Sequence, residues 1–322
     1  MSLKQTVSRN NHQYPSIRPR RLPANGTIAI TSPATTPDAT KLERGISYLE
    51  SLGYRIVVGK SCTSKEEYLA GNDTLRAAEL NDFFRDPGVD AIFCSRGGYG
   101  GMHLLPMIDY DAIRANPKLF CGFSDITALQ WGIYAKCGLP SVSGAMVATD
   151  FGDLPMDPGM ESQFWELIET GFTSISFDSI GTEKKSVPHG TLIAGTLAVA
   201  AKQMSSPFFP VLDNHIVVFE DVDEPIHKIE GYLRQLVLAG QLNHVEAIIF
   251  GEFTPPKNES FDEVPSLDKV LDRILSPLAI PYTRGIRYGH IKNKISLPVG
   301  VPISVSLGPV TQLRTTGSLY TI

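Results

Sequence analysis

The sequence predicts an α/β protein: an N-terminal α/β domain on a parallel sheet, followed by a smaller, β-rich domain of mixed strands. The first half alternates short buried strands with amphipathic helices, which implies βαβ units. A turn-rich stretch then interrupts the pattern. Beyond it, period-two runs (Ile303, Val305 and Leu307, then Leu313 and Thr315) announce antiparallel strands in a small barrel-like sheet.

Taken in order, 27–32 (TIAITS) reads as a buried strand. Asp38 opens a helix with Leu42, Ile46 and Leu49 on one face, and Gly53 closes it in the left-handed conformation. The next strand is 54–58. Asp73 starts a second helix, with Leu75, Ala78 and Phe83 among its apolar positions and Pro87 after it. Strands 91–94 and 119–123 follow, then a helix at 125–137 carrying Ile126, Leu129 and Ile133 on one face and ending at Gly138. In the second half, 195–203 and 226–239 read as helices, 215–219 and 245–250 as strands, and 266–275 as a helix. The expected organisation is a flexible leader at 1–21, an N-terminal domain at 22–150, a linker at 151–187 and a C-terminal domain at 188–322.

A chain of 322 residues is long enough to bury a large core without disulfides or metals. Its 29 Lys+Arg against 34 Asp+Glu argue against nucleic acid as a partner. No apolar run approaches the ~18–20 residues of a membrane span. Residues 1–21 lack an apolar core, so a cytoplasmic location is expected rather than secretion. The basic cluster Arg18, Arg20 and Arg21 reads as part of a solvated leader. Cys62, Cys94, Cys121 and Cys137 fall at no metal-ligand spacing and read as buried free thiols. No metal and no organic cofactor is expected.

The segment most informative about chemistry is Phe120-Cys121-Gly122-Phe123-Ser124-Asp125-Ile126-Thr127. A serine between a buried strand and a helix is lifted clear of the sheet and sits at the positive end of the helix dipole. It is placed like a nucleophile elbow, although Ile126 stands where the second glycine of GxSxG would be. A simple helix N-cap is the competing reading. A second segment, Ser95-Arg96-Gly97-Gly98-Tyr99-Gly100-Gly101, follows the 91–94 strand. Its glycines let backbone N–H groups approach an anion, or serve only a tight turn. It lacks GxGxxG and the Lys-Ser/Thr ending of a phosphate loop. A nucleophilic serine needs a base, and the base an orienting acid. Of the seven histidines, His290 has a suitable context, in the loop Arg287-Tyr288-Gly289-His290. Glu220-Asp221, read as following the strand 215–219, offers the acid; plain helix N-terminal charges are the alternative.

The strings RGGYG, CGFSDITAL, FEDVDEP and YGHIKNKISLP occur in that order. Together they resemble the LD-carboxypeptidase family of serine peptidases, which includes murein tetrapeptide carboxypeptidases and microcin C immunity hydrolases. The resemblance runs from about Gly26 to the C-terminus. It implies a Ser-His-Glu triad of Ser124, His290 and Glu220, with the backbone N–H groups of Gly98 and Asp125 as the oxyanion hole. It implies an α/β N-terminal domain, a smaller β-rich C-terminal domain and a triad assembled across their interface. It further implies a small peptide or peptide-like amide as substrate, and it is compatible with a homodimer. Arg96 and Arg287 are candidates for binding a terminal carboxylate. Two segments depart from the family pattern: Ala194-Gly195-Thr196-Leu197 where Gly-Gly-Asn-Leu is usual, and Ser143-Gly144-Ala145-Met146 where His-Gly-Pro-Met is usual. Both are expected to border the substrate cleft and to bear on substrate identity. The competing class is a non-catalytic small-molecule-binding α/β protein that uses RGGYGG as an anion cradle. An isolated half ending near Thr149 is expected to fold but to be inactive.

Overall fold

The first sheet is built from strands β1 (Thr27–Thr31), β2 (Arg55–Val58), β3 (Ala91–Cys94), β4 (Leu119–Gly122) and β5 (Ser141–Ser143). They run parallel in the order β5-β4-β3-β1-β2. The computed structural model describes residues 17–153, 155–181, 186–256 and 265–321. Every residue of β1, β3, β4 and β5 is buried, as expected of parallel strands covered on both faces. Helices Ala39–Ser51, Asp73–Arg85 and Thr127–Cys137 fall in the expected segments. Asp38 caps the first by accepting from the Lys41 N–H, and Asn72 caps the second by accepting from Leu75.

The second helix turns a different face inward from the expected one. Its buried residues are Arg76, Ala77, Leu80, Asn81 and Phe84, whereas Ala78 is exposed. The reason is Arg76. Its guanidinium is fully buried but satisfied by the carbonyls of Pro33, Gly71 and Gly100 and by Asp73, so a cation holds an inward position usually given to an apolar residue.

The second sheet comprises β6 (Ser174–Asp178), β7 (Ile180–Gly181), β8 (His189–Thr196), β9 (His215–Val222), β10 (Ala247–Thr254), β11 (Tyr282–Arg284), β13 (Val301–Ser306) and β14 (Val310–Thr315). Between β11 and β13 lies β12 (Leu297–Val299), which returns to the first sheet and pairs antiparallel with β5. The order in the second sheet is β6-β14-β13-β8-β9-β10-β11-β7. Its edges, β6 and β7, are separated in the chain by Ser179 alone. One residue spans only ~3.5 Å, so the sheet curls far enough to bring the end of one edge strand to the start of the other, an open barrel-like form. The parallel run β8-β9-β10-β11 makes it mixed.

The expected linker at 151–187 holds the helix Pro158–Thr170 as well as β6 and β7. Phe164 of that helix packs edge-on to Phe93 of β3. One core runs through both units, joining Phe120, Ile126 and Trp131 to Leu192, Phe219 and Val299. Trp131 Nε1 donates to the Ala194 carbonyl at 2.9 Å across the boundary. The four cysteines are buried and free, and burial pushes the Cys62 thiol up to about 12. No helix among the described residues is long and apolar enough to cross a membrane.

Candidate active site

Ser124 follows β4 directly and opens the helical turn that continues into Thr127–Cys137. Its φ is 65°, a left-handed conformation that costs a non-glycine residue energy and aims its side chain off the sheet. The turn closes tightly because Gly122 has no Cβ; one there would lie 2.4 Å from Ile126 Cγ2. Ile126 therefore fills the space beside the first glycine of the elbow, and a second glycine is not required. No side chain caps this helical turn, so the N-cap reading of Ser124 does not apply.

The Ser124 hydroxyl lies 2.9 Å from His290 Nε2, and His290 Nδ1 lies 2.7 Å from Glu220 Oε2. Glu220 is fully buried and belongs to β9 itself, which runs to Val222 rather than ending at Phe219. The next helix begins only at Ile226, so the acids are not helix N-terminal charges. Alternation along the strand sends Glu220 and Asp221 to opposite faces. Asp221 accepts instead from the N–H groups of Ala198 and Val222, at 2.8 and 2.9 Å. Burial, aided by the neighbouring Glu220 charge, pushes its carboxyl up to about 7.

The glycine-rich loop lies hard against the elbow. A Cβ on Gly97 would fall 2.7 Å from Ser124 Cβ, and one on Gly98, whose φ is 126°, would fall 2.3 Å from Thr35 Oγ1. The Asp125 carboxylate accepts from the Gly101 N–H at 2.7 Å and so ties this loop to the serine turn. Burial raises the Asp125 carboxyl to about 6, against the Gly101 hydrogen bond and the charges of Arg76, His103 and Lys202.

Ser124, His290 and Gly98 line a cavity of about 1030 Å³. Arg96 also lines it, with Nε donating to the Gly97 carbonyl at 3.2 Å. Arg287 is exposed and is not among the lining residues described, so the structure gives no support to it as a carboxylate ligand. The wall also carries the charged residues Asp150, Asp153, Asp157, Lys292 and Lys294. Lys294 and Asp150 form a buried ion pair, with the Lys294 ammonium 5.1 Å over the Phe123 ring. The string YGHIKNKISLP held both lysines, but nothing in their spacing marked which would face the cavity.

Of the two departing segments, 143–146 reaches the cavity through Met146, whereas 194–197 does not border it. Thr196 is buried and lies outside the cavity lining; its hydroxyl donates to Glu220 Oε1 at 2.5 Å. Ser143 Oγ lies 2.8 Å from the Tyr288 hydroxyl, close to His290 in the chain, and of that segment only Met146 is among the described lining residues. His103 and His215 are engaged elsewhere, with Asp73 and with Tyr134. His12 lies outside the described residues. Among the described residues no three His, Cys, Asp or Glu side chains cluster as metal ligands.

Fold and site define a two-domain hydrolase in which a strained serine from one sheet meets an imidazole and an acid from the other unit. The chain belongs to the LD-carboxypeptidase family: that family's N-terminal domain matches residues 28–144 and its C-terminal domain residues 189–305. It is 32% identical to the probable murein peptide carboxypeptidase of Bacillus subtilis, over 93% of this chain and 95% of that protein. It is 30% identical to the microcin C7 self-immunity protein MccF of Escherichia coli, over 87% of this chain and 89% of that one. The crystal structure of a muramoyltetrapeptide carboxypeptidase from Oxalobacter formigenes superposes with a TM-score of 0.83 at 28% identity, covering 90% of this chain and 98% of the other.

Proposed function

We propose that this protein is a serine LD-carboxypeptidase that releases the C-terminal D-amino acid, D-alanine, from murein tetrapeptides in peptidoglycan recycling. The observation that carries the reading is the hydrogen-bonded chain Ser124–His290–Glu220 opening into a large cavity. Ser124 Oγ attacks the scissile carbonyl while His290 Nε2 takes its proton. Glu220 fixes the imidazole tautomer and stabilises the imidazolium. The N–H groups of Gly98 and Asp125 receive the oxyanion, a stabilisation worth ~3–4 kcal/mol per donor at comparable sites. Collapse of the tetrahedral intermediate breaks the C–N bond, and His290 returns the proton to the departing amine. Water, deprotonated by His290, then releases the acyl group and regenerates the hydroxyl.

A muropeptide carries free carboxylates and a free amine. The wall supplies both complements, Arg96 and Lys292 for the carboxylates and Asp153 and Asp157 for the amine. Digestion of murein tetrapeptide, followed by mass spectrometry of the products, tests the reading: D-alanine and the tripeptide are expected. Cleavage of a peptidyl nucleotide with the tetrapeptide left intact would transfer the proposal to the immunity type. No cleavage of either would favour a binding protein.

A further inference from the structure

We infer that Thr196 is a positioning residue for the reaction: it holds the acid behind the histidine and locks that acid to the element bearing the nucleophile. The inference deepens the proposed hydrolase reading and rests on it for its catalytic consequence. A carboxylate has two oxygens, and in Glu220 each has one assigned partner: Oε2 meets His290 Nδ1 at 2.7 Å, and Oε1 accepts from the Thr196 hydroxyl at 2.5 Å. Glu220 is fully buried, so water does not take the place of that donor if it is lost. The carboxylate plane is thus fixed from behind, and with it the angle at which the other oxygen faces the imidazole.

Thr196 is itself anchored at its backbone. Its N–H donates to Thr127 Oγ1 at 3.1 Å, on the first turn of the helix that continues from Ser124. Gly195, just before it, packs so closely that a Cβ would lie 2.4 Å from Thr127 Cγ2. In β8, Thr196 pairs in register with Glu220 of β9. One residue therefore touches the acid through its side chain and the nucleophile's helix through its main chain. It spans the boundary across which the three reacting groups are assembled. Thr196 does not line the cavity, so it acts on the acid and not on the substrate.

The test compares Thr196→Val, which keeps the shape and removes the hydroxyl, with Thr196→Ser, which keeps the hydroxyl. In the valine variant kcat falls about tenfold, the loss of one hydrogen bond to a charged group, while KM stays unchanged. The serine variant keeps kcat within about twofold of wild type and leaves KM unchanged. A second readout needs no turnover: the downfield proton resonance of His290 Nδ1 in the full-length protein shifts in Thr196→Val and not in Thr196→Ser. If that shift occurs but neither tetrapeptide nor peptidyl nucleotide is cleaved, the positioning role stands and the hydrolase reading fails. A valine variant with wild-type resonance and kinetics, or equal losses in both variants, overturns the inference.

Discussion

Ser124 and His290 are 166 residues apart in the chain, yet the hydroxyl of one lies 2.9 Å from the imidazole of the other. The contact joins the end of β4 in the first sheet to a loop that follows β11 of the second. The site exists only when both units are in place.

Replacement of the reacting groups should give a graded and non-additive pattern. Ser124→Ala and His290→Ala should each lower kcat by about 10⁴-fold or more, and the double variant should be scarcely worse. Glu220→Gln should retain somewhat more activity than either, as triad acids generally do. Asp221→Asn is the control. Its side chain faces the Ala198 and Val222 N–H groups and not His290, so turnover should change by less than about threefold. Steady-state kinetics on the tetrapeptide read all of these, and a benign Glu220→Gln beside a crippling Asp221→Asn would move the acid by one residue.

The loop against the elbow should tolerate no added methyl. Gly97→Ala places a Cβ 2.7 Å from that of Ser124, and Gly98→Ala one 2.3 Å from Thr35 Oγ1 at a φ of 126°. Each should cost about 1–3 kcal/mol of stability through strain. Each should also lower kcat about 10²-fold by displacing an oxyanion donor, with a smaller effect on KM. Thermal melts alongside kinetics separate the two effects, and an unperturbed kcat in both variants would remove Gly98 from the oxyanion hole.

Asp221 gives stability a pH dependence of definite sign. Its carboxyl rises to about 7 in the folded chain, above the ~3.9 of an unfolded one. Between those values the folded state holds the extra proton, so this group's contribution falls as pH rises and levels off above about 7. Asp125, raised to about 6, adds a change of the same sign over a narrower range. The stability of Asp221→Asn relative to wild type should therefore improve from pH 5 to pH 8, by on the order of 2 kcal/mol. Denaturation curves at the two pH values check this, and a difference independent of pH would contradict it.

A chain ended near Thr149 should not fold, a change from the expectation that it folds and is inactive. It loses β12 from the edge of the first sheet and the helix Pro158–Thr170 that covers Phe93. It also exposes Phe120, Ile126 and Trp131, which share one core with Leu192 and Phe219. Circular dichroism and size exclusion of the truncated chain would show it unfolded or aggregated; a cooperative thermal transition would restore the independent domain.

The alternating strands and helices of the first half were legible because apolar periodicity and caps such as Asp38 are local signals. So was the serine, since a buried strand followed by a helix leaves few residues at the turn. Arg76 was not legible. An arginine at an inward helix position becomes favourable only through carbonyls from Pro33, Gly71 and Gly100, which the sequence does not show converging. The same holds for β12, a strand of three residues whose partner lies in the other half of the chain. Thr196 stands out in the sequence as a departure from the family pattern, but its place behind the acid does not. Its partner on β9 is set by strand register, a property that only pairing reveals.

The proposed reaction turns on activation of the Ser124 nucleophile by His290. It is tested most directly by treating the full-length protein with a fluorophosphonate and mapping the adduct by peptide mass spectrometry. Stoichiometric phosphonylation at Ser124 is expected, slowed by orders of magnitude in His290→Ala and accompanied by loss of D-alanine release. An unlabelled Ser124 in a protein that still releases D-alanine would contradict it.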